Sequence, residues 1–336
     1  MAGAAIPRVH SGDCRVTSFL AMTLNKMNSD TPFFIVNPNA RSRKTGELWK
    51  NLKPRLRDKL PGFKWVLTLE AGDAARQARK AIEKGHRWLV VVGGDGTANE
   101  VVNGCFHNGE ILDSNIQLGF LASGSGDDFV RSLKWPTSPS QALERLVRRK
   151  TITVDVGRVT FQNPQGKSEI RHFINIADFG LGAQVMKRVN ASTKPLGSRL
   201  TYLYHSIASL ISYRRCSVVM ESGGKTYRFP EVVIGIVANG RYFGNGLCVA
   251  PEADLSDGFF NVIIVERFWV KDFLKLLPNL YRGGAVTGRN ILRLKTKKIV
   301  VQPQDSHAVL IVTDGEQPGQ LPATFEIVPR CLQVCV

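Results

Sequence analysis

Apolar positions follow two different rhythms along this chain. In the first half, short, mostly apolar runs recur at Phe33-Phe34-Ile35-Val36, at 65–69, at Leu89-Val90-Val91-Val92 and at 118–121, the first and third of them unbroken. A run of four to six apolar residues suits a strand buried on both faces. Between these runs, Leu48, Trp49, Leu52 and Leu56 have helical spacing, with Pro54 placed to interrupt or kink the helix. A further helix opens at Asp73 and carries Ala74, Ala75, Ala78 and Ala81. Strands alternating with helices predict a parallel sheet covered on both faces.

From Thr151 the rhythm changes. Ile152, Val154 and Val156 alternate with Thr153, Asp155 and Gly157, the period of a strand with one buried face. Strand-like runs continue at 172–177, 216–220, 232–238, 259–265, 291–301, 309–313 and 324–328. Two helices, near 198–212 and 270–281, interrupt them. The expected fold is therefore α/β with two domains: an N-terminal parallel-sheet domain over 31–150 and a C-terminal antiparallel β-sandwich over 151–330. The boundary falls near Arg148-Arg149-Lys150, and residues 331–336 are left as a tail. Residues 1–30 set Arg8, Arg15 and Lys26 against Asp13 and Asp30, among Ala, Ser, Thr and Met. They read as a disordered tail or an organelle transit segment.

A chain of 336 residues with 43% hydrophobic content can bury two cores. A formal charge of +17 favours an anionic partner, whether nucleotide, nucleic acid or acidic membrane surface. The basic residues are dispersed and form no nucleic-acid motif, so nucleic acid is set aside. The six cysteines, at 14, 105, 216, 248, 331 and 335, have neither zinc nor CxxC spacing, and reduced thiols are expected. No apolar run approaches membrane-spanning length, so contact with a bilayer would be peripheral.

The chemistry gathers where strands end in glycine. The stretch 88–104, WLVVVGGDGTANEVVNG, reads as strand, glycine loop and helix start. Thr97 is placed as an N-cap, with Glu100 at capping-box spacing. Free N–H groups and the positive end of a helix favour a phosphate there. Asp95 stands in that loop, and a carboxylate beside a phosphate is repelled unless it holds a metal or accepts a proton. The spacing is neither that of a Walker A loop nor that of the dinucleotide fingerprint, because Asn99 stands where the third glycine would fall. An ordinary strand-to-helix turn explains the stretch as well. A second glycine loop, Ser123-Gly124-Ser125-Gly126-Asp127-Asp128, follows the next strand. Asp254-Leu255-Ser256-Asp257-Gly258 and Asp314-Gly315-Glu316 end later ones. Together these match the needs of phosphoryl transfer: glycines to seat phosphates, oxygens for magnesium, and a carboxylate to take a proton. The Asn37 amide could touch an adenine or ribose edge. Lys194 and Arg199 flank a Pro-Leu-Gly turn suited to neutralising phosphate, or are simply solvated charges.

Asn37-Pro38, GGDGTANEVVNG (93–104), SGSGDDF (123–129), Asp155-Val156-Gly157 and Asp314-Gly315-Glu316 occur in this order. The set resembles the diacylglycerol kinase catalytic fold shared by sphingosine kinases and bacterial lipid kinases, and in particular the plant sphingoid long-chain base kinases of mitochondrial type. The resemblance covers residues 32 to 330. It implies an ATP-binding N-terminal domain, a lipid-holding C-terminal sandwich and a cleft between them. It also implies that Asn37, Gly94, Gly96, Thr97, Ser123, Gly124 and Ser125 contact ATP, with Glu316 helping from the C-terminal side. Asp95 resembles the base of sphingosine kinases and Asp314 the base favoured for bacterial relatives. Asp155 would join their network with magnesium, and Asp254 and Asp257 resemble a metal-holding turn, or an ordinary one. Near 175–180, sphingosine kinases carry an acid that holds the lipid amine, and Asp178 stands close to that place.

The expected function is ATP-dependent phosphorylation of the primary hydroxyl of a sphingoid base, with Mg2+, at a mitochondrial, cytoplasmic or peripheral membrane location. Diacylglycerol or ceramide phosphorylation is the alternative within the enzymes. NAD kinase is a weaker rival, since GGDGT occurs there too. A non-catalytic nucleotide- or lipid-binding module would have no need of acids at 95, 314 and 316.

Overall fold

The computed structural model describes residues 28–41, 43–124, 126–136, 138–163, 165–192 and 198–336. Most of the expected N-terminal tail or transit segment lies outside these residues, as do Ser125 and Lys194.

Four parallel strands build the N-terminal sheet: β1 (Phe33–Val36), β2 (Lys64–Leu67), β3 (Trp88–Gly93) and β4 (Gln117–Ala122). Their order is β2-β1-β3-β4. Val90 lies between Phe34 and Gly119, and Val92 between Val36 and Leu121. All six residues of β3 are buried, as expected of a central parallel strand with helices on both faces. Helices α1 (Lys44–Lys59), α2 (Asp73–Glu83), α3 (Asp95–Gly104), α4 (Asp128–Ser132) and α5 (Pro139–Arg148) complete this half. Pro54 is accommodated inside α1 and does not end it.

The second half contributes β5 (Thr151–Gln162), β6 (Ser168–Phe173), β7 (Ile176–Gly180), β8 (Cys216–Ser222), β9 (Lys225–Ala238), β10 (Phe260–Glu266), β11 (Ile291–Thr296), β12 (Lys298–Pro303), β13 (Leu310–Thr313) and β14 (Glu316–Cys335). All their mutual pairings are antiparallel. They fold into the expected sandwich around Phe161, Phe173, Phe179, Phe260 and Phe325. The run 291–301 is two strands, because the chain bends at Lys297. Three helices lie against the sandwich: α6 (Leu181–Ala191), α7 (Ser198–Ser212) and α8 (Val270–Arg282).

The two halves are joined by hydrogen bonds. The end of β14 pairs in parallel with β4, Gln333 beside Gln117 and Val334 beside Leu118, and antiparallel with the start of β5. Leu332, Val334 and Cys335 pack into the N-terminal core. Residues 331–335 are thus strand and not the expected tail. Fourteen of the described strands form one connected sheet, which fixes the glycine loops of the first half against the turns of the second.

Candidate functional site

Two polar spaces lie at the carboxyl ends of β1, β3 and β4, where ligands bind in sheets of this kind, and a third adjoins them from the second half. The first, about 400 Å3, is polar and is bordered by Asn37, Asn39, Arg41, Thr97, Glu100 and Glu316. The second, about 300 Å3, is an acidic cleft bordered by Asp95, Asp128, Asn175, Asp314 and Glu316. Gly94, Gly96, Gly124 and Glu316 border both. The third is smaller, about 100 Å3, and carbon-lined by Val185, Leu210, Ile236, Phe273 and Leu280 among others. Tyr202 and Phe243 stand between it and the cleft, bordering both.

The wall between the first two spaces is bare backbone. A Cβ on Gly94 would lie 2.9 Å from the Gly124 Cα, and one on Gly124 would lie 2.7 Å from the Gly94 Cα. The glycine loops therefore touch where any side chain would part them. Gly94 is the N-cap of α3, with no side chain supplying a cap, so the first N–H groups of α3 face the shared space.

Asp95 is the first residue of α3 and borders the acidic cleft. Its Oδ2 accepts the Asp128 N–H (3.1 Å) and its Oδ1 the Phe129 N–H (3.2 Å), so it also holds the start of α4. Asp128 turns its Oδ2 to the Asn245 N–H (2.9 Å), while its buried Oδ1 has no hydrogen-bond donor and sits 4.0 Å from the Arg131 Nε. Asp127 accepts the Gly124 N–H. Burial raises all three acids. Asp128, with the Asp95 charge beside it, is pushed up to about 7, and Asp127, for the same two reasons, to about 6. Like charges drawn together in a desolvated site make each of these acids hold a proton more readily than a solvated carboxyl would.

Asp314 is placed differently. Its backbone is left-handed (φ 47°), and its carboxylate accepts four hydrogen bonds: Ile174 N–H (2.8 Å), Asn175 N–H (3.0 Å), Ile176 N–H (3.0 Å) and Asn99 Nδ2 (2.9 Å). Burial lifts it to about 6 against those four donors. With both oxygens engaged twice, it anchors β7 to α3, and every acceptor direction of the carboxylate is already taken. Asn99 also donates to the His172 carbonyl, which Asn103 reaches as well. The residue that breaks the dinucleotide fingerprint is therefore the bolt between the halves.

The other expected residues divide. Asn37 donates to the Thr97 hydroxyl (3.0 Å), and both border the polar space. Thr97 does not cap α3, and Glu100 forms no capping box. Its carboxylate instead accepts Gly72 and Ala74 N–H groups at the start of α2. Ser123 is turned away from the cleft, its hydroxyl bonded to Thr45 in the core (2.9 Å). Arg199 is exposed and stacks over Tyr281 (5.7 Å), outside the polar spaces. Glu316 borders both polar spaces, and burial, with Glu100 nearby, raises it.

The expected metal acids are not assembled as one ligand set. Asp155 accepts Arg330 and Gly258 N–H groups, Asp254 caps Ser256, and Asp257 pairs with Lys295 (2.6 Å). Among the described residues no group of three acids, histidines or cysteines could hold a metal.

Among the described residues Asp178 is the buried acid left with neither oxygen hydrogen-bonded. It faces away from the sandwich core, fully buried against Gly182 at the edge of the apolar chamber, with no hydrogen-bond partner on either oxygen. Burial alone pushes it up to about 8.

The chain matches the Diacylglycerol kinase catalytic domain over residues 31–159 and the YegS C-terminal NAD kinase beta sandwich-like domain over residues 175–336. It is 30% identical over 318 residues to a Bacillus subtilis protein named “Putative lipid kinase YtlR”, across 90% of this chain and 98% of that one. It is 26% identical over 283 residues to a “Diacylglycerol kinase” of Staphylococcus carnosus, across 83% of this chain and 87% of that one. A Bacillus anthracis crystal structure reported as a “putative diacylglycerol kinase” shares the fold, with a TM-score of 0.72, 24% identity, and coverage of 91% of this chain and 96% of that one.

Proposed function

This chain belongs to the family of lipid kinases that join a diacylglycerol kinase catalytic domain to a YegS-type sandwich, and we propose that its acceptor is the primary hydroxyl of a sphingoid long-chain base, phosphorylated from ATP. The observation that carries the proposal is Asp178, an unpaired buried acid against Gly182, which borders a carbon-lined chamber that shares Tyr202 and Phe243 with the cleft. An isolated buried carboxyl is costly unless something pairs with it. A lipid with an amine beside its hydroxyl supplies that partner, and on binding it would draw Asp178 into its ionised form.

On this reading the adenosine lies by Asn37, Asn39 and Arg41, and the phosphates cross Gly94, Gly96 and Gly124. Asp95 takes the proton of the lipid hydroxyl as its oxygen bonds to the γ-phosphorus and ADP leaves. Burial raises Asp95 and readies it to accept a proton, and Asp314 positions β7 without taking it. Mg2+ fits this donor set as a companion of the nucleotide. It commonly takes one or two carboxylates plus substrate phosphates, and Asp128, with its undonated Oδ1, would hold it and offset phosphate charge.

The names of several relatives favour a second acceptor, diacylglycerol, whose neutral head leaves Asp178 without a counter-charge. Labelled γ-phosphate transfer from ATP to sphinganine, phytosphingosine, diacylglycerol and ceramide separates the two. The expected result is label in the free bases. Asp178→Asn should lower kcat/KM for the bases by about a hundredfold, the scale for removing one partner of a buried charged pair. Label in diacylglycerol alone, unchanged by Asp178→Asn, would transfer the assignment to the neutral lipid.

A further inference from the structure

Helix α7 is built inside out. Its buried stripe carries hydroxyls, Thr201, Ser206 and Ser209, while Leu200, Tyr204 and Ile211 point outward at 57%, 64% and 72% exposure. Those three recur at i, i+4 and i+11, one line along the outer face. Helix α8 lies beside it, joined where Arg199 stacks over Tyr281. Its inner face is apolar, and its outer face interleaves Leu274 and Tyr281 with Lys271, Lys275 and Arg282, all exposed. Trp269, at its N-cap, is 57% exposed. Six of the thirteen large apolar side chains exposed among the described residues lie on this pair, so the patch is not a random scatter. Lys271, Lys275, Arg282 and, beyond the helix, Arg289 have no acid partner among the described residues, and Asp272 is occupied by the Trp269 N–H. The inner faces of the same two helices, through Leu210, Phe273 and Leu276, line the apolar chamber.

We propose that the outer face of α7 and α8 docks on an anionic bilayer, and that the lipid acceptor passes between these helices into the chamber. The inference rests on the reading of that chamber as the lipid's seat. Apolar side chains that project from a basic surface are suited to the headgroup boundary, where chains enter the lipid and lysines meet anionic headgroups. The basic ring favours a charged lipid surface over a second copy of this cationic chain, whose like charges would repel.

Sedimentation with sucrose-loaded vesicles of phosphatidylcholine, with and without phosphatidylserine, tests this on the full chain without ATP or sphingoid base. The wild type should sediment with the anionic vesicles, and less so as salt rises. Two independent variants, Leu200→Ser/Tyr204→Ser/Ile211→Ser and Lys271→Glu/Lys275→Glu, should each weaken partition at least tenfold, by lost apolar area or by about 1 kcal/mol per basic residue. Both should retain turnover of a short-chain soluble acceptor and lose turnover of a vesicle-embedded one. Unchanged partition of both variants, or no binding by the wild type, would overturn the proposal. A fall in the mass of the free protein in the variants, with vesicle partition intact, would assign the face to self-association and also overturn it. Because partition is read without turnover, failure of the sphingoid-base assignment leaves this result standing.

Discussion

Asp95→Asn is expected to lower kcat for lipid phosphorylation by about a thousandfold, within the range for loss of a positioned general base. The chain should remain folded. An amide at 95 can still accept one of the two N–H groups at the start of α4, and it relieves the like-charge contact that adds to burial in pushing Asp128 up to about 7. Circular dichroism and a melting temperature close to wild type would show that turnover, not folding, was lost. KM for ATP should change little, because the phosphates are seated by Gly94, Gly96 and Gly124 and not by this carboxylate. Near-normal turnover would remove Asp95 from the reaction and return the role to Asp128 or Asp314.

Asp178→Asn is expected to stabilise the protein, and to do so increasingly as pH rises. Burial pushes this acid from its ordinary 3.8 to about 8 in the fold. Between those values the unfolded chain has released the proton and the folded chain keeps it. The folded state therefore binds more protons, and rising pH favours unfolding. Below about pH 4 both states are protonated and the group contributes nothing, while above about pH 8 its full cost of several kcal/mol is present. Asn carries no such term. Asp127, Asp128 and Asp314 are also raised but are common to both proteins, so the difference isolates position 178. Urea unfolding at about pH 5 and about pH 9 should show the advantage of the variant widening. Parallel curves would mean that Asp178 has a partner. A variant that is more stable yet poorer with amine lipids would identify an acid kept for binding at the expense of stability.

What could be read from the sequence was what local pattern controls. The apolar runs at 33–36 and 89–92, ended by turn residues, fit buried strands, and the alternation after Thr151 fits an antiparallel half. Helix α6 was missed because Gly182 weakens its helical signal. That glycine is required because a Cβ there would collide with the Asp178 carboxyl, a contact between an end of α6 and the strand before it. The capping box failed for a related reason: the Glu100 carboxylate is claimed by the start of α2, twenty-six residues back at Ala74. Ser123 sat in a phosphate-like loop, but its hydroxyl goes to Thr45. Asp127 and Asp128 were visible as adjacent acids before the apolar Phe129-Val130, the mark of a helix start, although not as partners of Asp95. Nothing local joins Asn99 to Asp314, 215 residues apart, and only the assembled sheet brings them to 2.9 Å.

The most direct test of the proposed reaction is a crystal structure of the wild type with sphinganine and a non-hydrolysable ATP analogue. The expected result has the adenine beside Asn37 and the terminal phosphate at the Gly94–Gly124 contact. The lipid hydroxyl lies within hydrogen-bond reach of Asp95, its amine is paired with Asp178, and its chain fills the space behind Tyr202 and Phe243. A terminal phosphate placed away from Asp95, or a lipid chain lodged outside that apolar chamber, would contradict it.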